Sequence, residues 1–289
     1  MLVIKDLKKT YSGGIQALKG VSLEMSPGVF GLLGPNGSGK TTLMKIVATL
    51  LEPDSGTIEI NGHDALTHKH QTRQMLGYLP QDFGLYPTLT AWQMLNYLAK
   101  LKGVTNKKER NALVDALLEK VNLADERHQR LGGFSGGMRQ RFGIAQALIG
   151  EPQLLIVDEP TAGLDPEERL RFHNLIAETA SEKTVVILST HIVSDVSNLC
   201  TSMAIIRKGE IISSCTPGQA VNQLKDSVWE GAVPHEQLPV FKSQFNVISA
   251  RTFDGQARVR LISKGQRPTE EFTPAIPALE DYYFDLVNR

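Results

Sequence analysis

Gly34-Pro35-Asn36-Gly37-Ser38-Gly39-Lys40-Thr41 fits the pattern G-x-x-x-x-G-K-[ST]. A short apolar run, Val29-Phe30-Gly31-Leu32-Leu33, leads into it. An apolar pattern at helical spacing, Leu43, Ile46, Val47 and Leu50, leads out of it. Strand, glycine loop and helix in that order make a phosphate cradle. Glycines let successive N–H groups converge on phosphate oxygens, and the helix start adds donors with no partner of their own. In such a loop Lys40 is placed to reach the β- and γ-phosphates, and the Thr41 hydroxyl to ligate magnesium.

Working outward, continuous apolar runs recur at 154–157, 185–188 and 203–206. Such runs read as strands of a parallel sheet buried on both faces by helices. Leu2-Val3-Ile4, Val21-Ser22-Leu23 and Thr57-Ile58-Glu59-Ile60 read as shorter strands of a mixed or antiparallel sheet, with Asn61-Gly62 as a hairpin turn. Between Gln81 and Gly150 the period becomes helical: Leu113, Leu117, Leu118 and Val121 form one stripe, Met138, Phe142, Ala145 and Leu148 another. Asp165, Pro166 and Glu168 stand at the N-cap, first-turn and capping-box positions of a further helix. After about residue 220 prolines multiply and the charged run Ala257-Arg258-Val259-Arg260-Leu261 alternates like a strand. The expectation is an α/β domain over 1–219 with a helical subdomain over about 82–150, and a small α+β appendage over 220–289.

Two further stretches suit phosphate chemistry. Leu154-Leu155-Ile156-Val157 ends in Asp158-Glu159. Two carboxylates closing a buried strand need a cation or water; Asp158 suits magnesium and Glu159 suits orienting or deprotonating a water. Taken alone, the pair also reads as a solvated loop or helix cap. Gly132-Gly133-Phe134-Ser135-Gly136-Gly137-Met138 sets bare backbone around one serine before a helix. That is a second anion cradle, or a plain N-cap by Ser135.

Together these stretches resemble the nucleotide-binding subunit of an ATP-binding cassette (ABC) transporter, whose ordered motifs recur over about residues 1–215. The phosphate loop matches residues 34–41 with Thr42 following, and the family's Q-loop glutamine matches Gln81. The signature motif, usually Leu-Ser-Gly-Gly-Gln, matches Phe134-Ser135-Gly136-Gly137-Met138. The acidic strand matches Asp158-Glu159, the D-loop Ala162-Gly163-Leu164-Asp165, the switch histidine His191 and the adenine-stacking aromatic Tyr11. Phe134 and Met138 depart from the pattern; the Ser-Gly-Gly centre is intact.

The resemblance implies a P-loop ATPase core that binds ATP and Mg²⁺. Catalytic roles fall to Lys40, Glu159 and His191. Metal contacts fall to Thr41, Gln81 and Asp158. Nucleotide contacts fall to Tyr11, the loop residues Gly34, Pro35, Asn36, Gly37, Ser38, Gly39, Lys40 and Thr41, then Thr42, Gln81, Ser135, Gly136, Gly137 and Asp165. It also implies a homodimer closing on two ATP molecules, with separate membrane permease subunits as partners. Without the family, Tyr11 reads equally as a surface aromatic and His191 as a structural histidine.

Composition narrows the alternatives. Lys+Arg and Asp+Glu are both 31, so a nucleic-acid partner is not expected and an ABC-type ATPase acting on nucleic acid or the ribosome is the lesser reading. No apolar run approaches the ~20 residues of a membrane span, and residues 1–6 lack the order of a signal peptide. Cys200 and Cys215 make no metal spacing. A reduced, cytosolic chain docked on the inner face of the cell membrane through its permease is the expectation. Segment 82–98 after Gln81 is the expected permease contact. Leu279-Glu280-Asp281 followed by aromatics resembles the ending of ATPase subunits of bacterial drug, lipid or polysaccharide exporters.

Overall fold

The computed structural model describes residues 1–180, 183–253 and 255–288. Asp254 and Arg289, part of the expected appendage, lie outside the described residues. The chain divides into two compact units, Met1–Ser213 and Ser214–Arg289.

The first unit opens with β1 (Leu2–Thr10) and β2 (Gln16–Met25), then β3 (Gly28–Leu33), which runs into the glycine loop and α1 (Lys40–Val47). Next come β4 (Ser55–Ile60), β5 (His63–Asp64), α2 (Lys69–Met75) and β6 (Leu76–Leu79). Three helices follow: α3 (Ala91–Leu101), α4 (Lys107–Lys120) and α5 (Gly136–Ala147). Alternation then resumes with β7 (Leu154–Asp158), α6 (Pro166–Thr179), β8 (Val185–Thr190), α7 (Val193–Leu199), β9 (Ser202–Arg207) and β10 (Glu210–Cys215).

Two sheets result. One is antiparallel, in the order β2-β1-β4-β5, and turns at Asn61-Gly62, where both residues have positive φ as a tight hairpin requires. The other runs β10-β9-β3-β8-β7-β6, and β9, β3, β8, β7 and β6 pair in parallel. The expected buried runs form its middle: all residues of β7 and β8 are buried. Their side chains alternate between two cores. Phe30, Leu32, Leu154, Ile156, Val185 and Ile187 join Leu43, Met44, Ile46 and Val47 of α1 and the inner face of the antiparallel sheet in one cluster. The intervening residues Leu155, Val157, Val186 and Leu188 are equally buried on the opposite face.

Some details differ from the expectation. The first helix after Gln81 starts only at Ala91, capped reciprocally by Thr90 and Gln93. On α4 the buried stripe runs through Val114 instead of Leu113, which is half-buried. Glu168 fills only half of a capping box: Asp165 accepts from its N–H at 2.9 Å, but its own carboxylate turns to Arg141 and Arg171.

The second unit holds α8 (Pro217–Asn222), β11 (Val228–Pro234), α9 (Leu238–Gln244), β12 (Asn246–Phe253), β13 (Gln256–Ile262), β14 (Thr273–Pro274) and α10 (Leu279–Val287). Its sheet order is β12-β13-β11-β14. Val233, Ala257, Val259 and Leu261 pack on Phe241 and Phe272, whose rings stack at 5.6 Å. Arg260, on the opposite face of β13, grips Asp281 of α10 through two bonds of 2.7 Å. The unit begins six residues before the expected boundary because α8, capped at Thr216, packs against α10.

Candidate nucleotide site

In a parallel sheet the carboxyl ends of the strands share one edge, and loops leaving that edge build the site. Here β3, β6, β7 and β8 end at Leu33, Leu79, Asp158 and Thr190, in register as Leu33↔Thr190, Asp158↔Ser189 and Leu79↔Val157. The residues that follow are the glycine loop, Gln81, Glu159 and His191. Stretches far apart in sequence thus converge because hydrogen-bonded neighbours terminate together.

The loop's shape demands its glycines. Gly39 has φ 111°, and a Cβ there would stand 2.6 Å from the Ala17 carbonyl oxygen. Lys40, Thr41 and Thr42 then form the first turn of α1, whose N–H groups have no helical acceptor. A cavity of about 570 Å³ opens above them, lined by Tyr11, Asn36, Gly37, Gly39, Lys40, Thr41, Thr42, Gln81 and Glu159. The Tyr11 hydroxyl lies 3.2 Å from the Thr42 hydroxyl, which holds the ring at the cavity's rim. Lys19, Lys208 and Gly209 also line it. Sequence reading missed these. The turn between β9 and β10 reaches the loop through Gly209, whose N–H bonds the Ser38 carbonyl, and no local pattern marks such a contact.

Charges in the site are arranged in a chain. The Lys40 ammonium donates to the Gly34 and Pro35 carbonyls at 2.7 and 3.2 Å and lies 3.0 Å from Glu159 Oε1. Glu159 Oε2 is 2.6 Å from His191 Nδ1. Lys40 and Glu159 are buried, whereas the His191 ring is 42 % exposed. The lysine therefore lies folded into the loop and against the carboxylate. Glu159 has φ 49°, a left-handed conformation that non-glycine residues seldom adopt and that the surrounding structure must hold.

Asp158 is fully buried, and neither carboxylate oxygen has a partner in good hydrogen-bond geometry, although the Ser189 and Thr41 hydroxyls stand beside it. Burial pushes its carboxyl above the ordinary value; the neighbouring Ser189 and Thr41 hydroxyls oppose the rise, the Glu159 charge adds to it and the Lys40 charge offsets it. A bare buried carboxylate beside a threonine hydroxyl is a set of hard oxygen donors that fits a magnesium ion.

Not every expected residue enters this cavity. Ser135, Gly136 and Gly137 lie at the start of α5, where Ser135 accepts from the Met138 N–H at 3.2 Å as an N-cap. Gly136 lines a different cavity of about 420 Å³, with Gly163 of the 162–165 loop; Gln81 borders both. Gly137 is small because Glu168 covers it, a Cβ there standing 2.4 Å from Glu168 Cδ. Asp165 caps α6. In segment 82–98, Phe83 and Leu85 are half-buried, while Tyr86 and Tyr97 are exposed. Among the described residues no helix is long and apolar enough to cross a membrane.

Comparison with known proteins agrees with this geometry. Residues 18–162 match the family described as ABC transporter. Over their full lengths, the chain is 39% identical to the uncharacterized ABC transporter ATP-binding protein YxlF of Bacillus subtilis. It is 36% identical to the linearmycin resistance ATP-binding protein LnrL of the same organism, over 78% of this chain and 72% of that one. Among solved structures it resembles the dimeric post-hydrolysis state of the ATP-binding cassette MJ0796 bound to ADP and Pi. The TM-score is 0.68 with 26% identity, covering 75% of this chain and 98% of that one. The chain belongs to the ABC transporter family, as an ATP-binding subunit whose activity is ATP hydrolysis.

Proposed function

We propose that this subunit hydrolyses ATP as half of a two-fold dimer and thereby powers export through separate membrane permease subunits. The observation that carries the dimer is the incompleteness of the site within one chain. The cavity gathers Tyr11, the phosphate loop, Gln81 and Glu159, but Ser135-Gly136-Gly137 stands outside it. A second copy, turned by a two-fold axis, brings its own serine-led turn over the first copy's nucleotide. The dimeric relative bound to ADP and Pi supports the same assembly.

In this reading Tyr11 stacks on the base. The loop N–H groups and Lys40 hold the phosphates, Lys40 swinging from the Gly34 and Pro35 carbonyls toward them. Thr41, Asp158 and Gln81 would hold magnesium. When bound, that ion neutralises charge on the β- and γ-phosphates. Glu159, released from Lys40, takes the proton of the attacking water, and His191 holds the carboxylate in place at 2.6 Å. Asp165 contributes from the loop that faces the second copy. Contacts to both chains exist only when closed, so ATP favours closure by its differential affinity and hydrolysis removes that preference.

Export is supported by the drug-resistance name of LnrL and by the Leu279-Glu280-Asp281 ending. In this reading segment 82–98, with its exposed Tyr86 and Tyr97, contacts the permease, and the chain sits at the membrane's cytoplasmic face through it. Residues 220–289 form an accessory domain. Steady-state hydrolysis tests the core of this reading. Glu159→Gln should bind ATP normally and turn over ~10²–10⁴-fold more slowly; turnover at the parent rate overturns the assignment.

A further inference from the structure

Beneath Glu159 and His191 lies a polar cluster that the phosphate chemistry does not use. Its centre is Asp195 on α7, fully buried in the first unit. Its two oxygens serve different segments. Oδ2 accepts from the Thr161 hydroxyl at 2.6 Å and the Thr190 hydroxyl at 3.2 Å. Oδ1 accepts from Arg169 Nε at 2.7 Å and lies 2.8 Å from His173 Nε2, both on α6. Burial alone would raise this carboxyl, but the bonds from His173, Thr161 and Arg169 and the Arg169 charge outweigh it and hold it below the ordinary value. The group is therefore a full anion at neutral pH, with charge-assisted bonds roughly twice as strong as neutral ones.

The positions of the two threonines matter most. Thr161 follows Glu159 by two residues and Thr190 immediately precedes His191. The Thr190 hydroxyl also accepts the Ile192 N–H at 3.0 Å, and the Glu159 N–H bonds the Ser189 carbonyl at 2.9 Å. One oxygen thus fastens the segment just past Glu159 to the segment just before His191. The left-handed backbone at Glu159 needs such outside restraint, because it is unfavourable on its own.

We propose that Asp195 is a positioning residue for hydrolysis, setting the Glu159–His191 geometry through Oδ2 while Oδ1 anchors α6. This rests on the assignment of Glu159 and His191 above. A misplacement of the base lowers turnover without touching the phosphate contacts, since none of the cluster lines the nucleotide cavity.

The test compares full-length variants for kcat, KM, affinity for a non-hydrolysable ATP analogue and thermal melting. Thr161→Val deletes one Oδ2 bond at nearly constant volume. It should lower kcat roughly tenfold, the equivalent of ~1.4 kcal/mol, with KM and analogue affinity unchanged. His173→Gln disturbs only the Oδ1 side; it should lower the melting temperature and keep kcat. Asp195→Asn combined with Thr161→Val should be no slower than Asp195→Asn alone, as expected for groups acting through one bond. Parent kcat in Thr161→Val overturns the proposal. So does a loss of kcat in His173→Gln equal to that in Thr161→Val, which would mark the cluster as purely structural. Glu159→Gln run alongside separates the two failures: its retention of parent activity would sink the base assignment itself.

Discussion

Asp158 shows how the site trades stability for chemistry. A buried carboxylate whose neighbouring hydroxyls make no well-aligned bond to it costs about 1–3 kcal/mol. Asp158→Asn should therefore raise the melting temperature of the nucleotide-free protein by ~2–4 °C while abolishing magnesium-dependent hydrolysis. The pH dependence follows from the raised carboxyl. The native state keeps this proton to a higher pH than the unfolded chain, so its contribution to stability declines as pH rises from the ordinary carboxylate range through the raised value. Urea titrations across that range should show the decline in the parent and its loss in Asp158→Asn. Asp195 has the opposite sign. Its depressed carboxyl contributes stability above the ordinary range and loses it as pH falls through the lowered value. Residues 34–41 were legible in sequence because phosphate chemistry dictates both residue type and spacing there, whereas Asp158-Glu159 gained its reading from standing beside that loop and His191 only from the family resemblance. Asp195 was not: Thr161, Arg169, His173 and Thr190 meet it only when α6, α7 and the ends of β7 and β8 come together.

Elements carry these residues, and their close approaches are the points of weakness. Gly77 on β6 lies so near α5 that a Cβ would stand 2.1 Å from the Ala147 carbonyl oxygen. Gly77→Ala should destabilise the first unit by ~1–3 kcal/mol in urea titration, since backbone must move to admit it. In the second unit, Asp281 is buried and doubly bonded to Arg260, and it also accepts the Ala278 N–H at 2.8 Å. Asp281→Ala should cost about 2–3 kcal/mol, less than a fully buried pair because Arg260 keeps some surface in water. Trp229, half-buried beside that unit's core, reports the loss by fluorescence. The exporter-like Leu279-Glu280-Asp281 ending thus has a structural task in this chain. Helix starts were readable where capping chemistry is local, as at Asp165-Pro166. The direction of the Glu168 side chain was not, because Arg141 comes from a separate helix. The continuous apolar runs identified the central strands, but which strand neighbours which is decided by crossover connections that leave no periodic trace.

At the scale of the whole molecule, the separation of the two anion cradles is the feature with the largest consequence. One chain offers a nearly complete nucleotide cavity and, apart from it, an exposed Ser135 and Gly136 at a helix start. In the proposed dimer each cradle is completed by the other from a second copy. The sequence left the Ser135 turn open between a cradle and a plain N-cap and the family resemblance implied its pairing with the phosphate loop, while the fold shows that Ser135-Gly136-Gly137 does not line its own chain's nucleotide cavity. Sedimentation velocity on Glu159→Gln tests this most directly. With saturating ATP and magnesium it should sediment as a dimer of the 31.8 kDa chain. Adding Ser135→Arg should return it to monomer with ATP binding intact. A monomer at saturating ATP in the single variant, or a dimer indifferent to Ser135→Arg, would contradict the shared site.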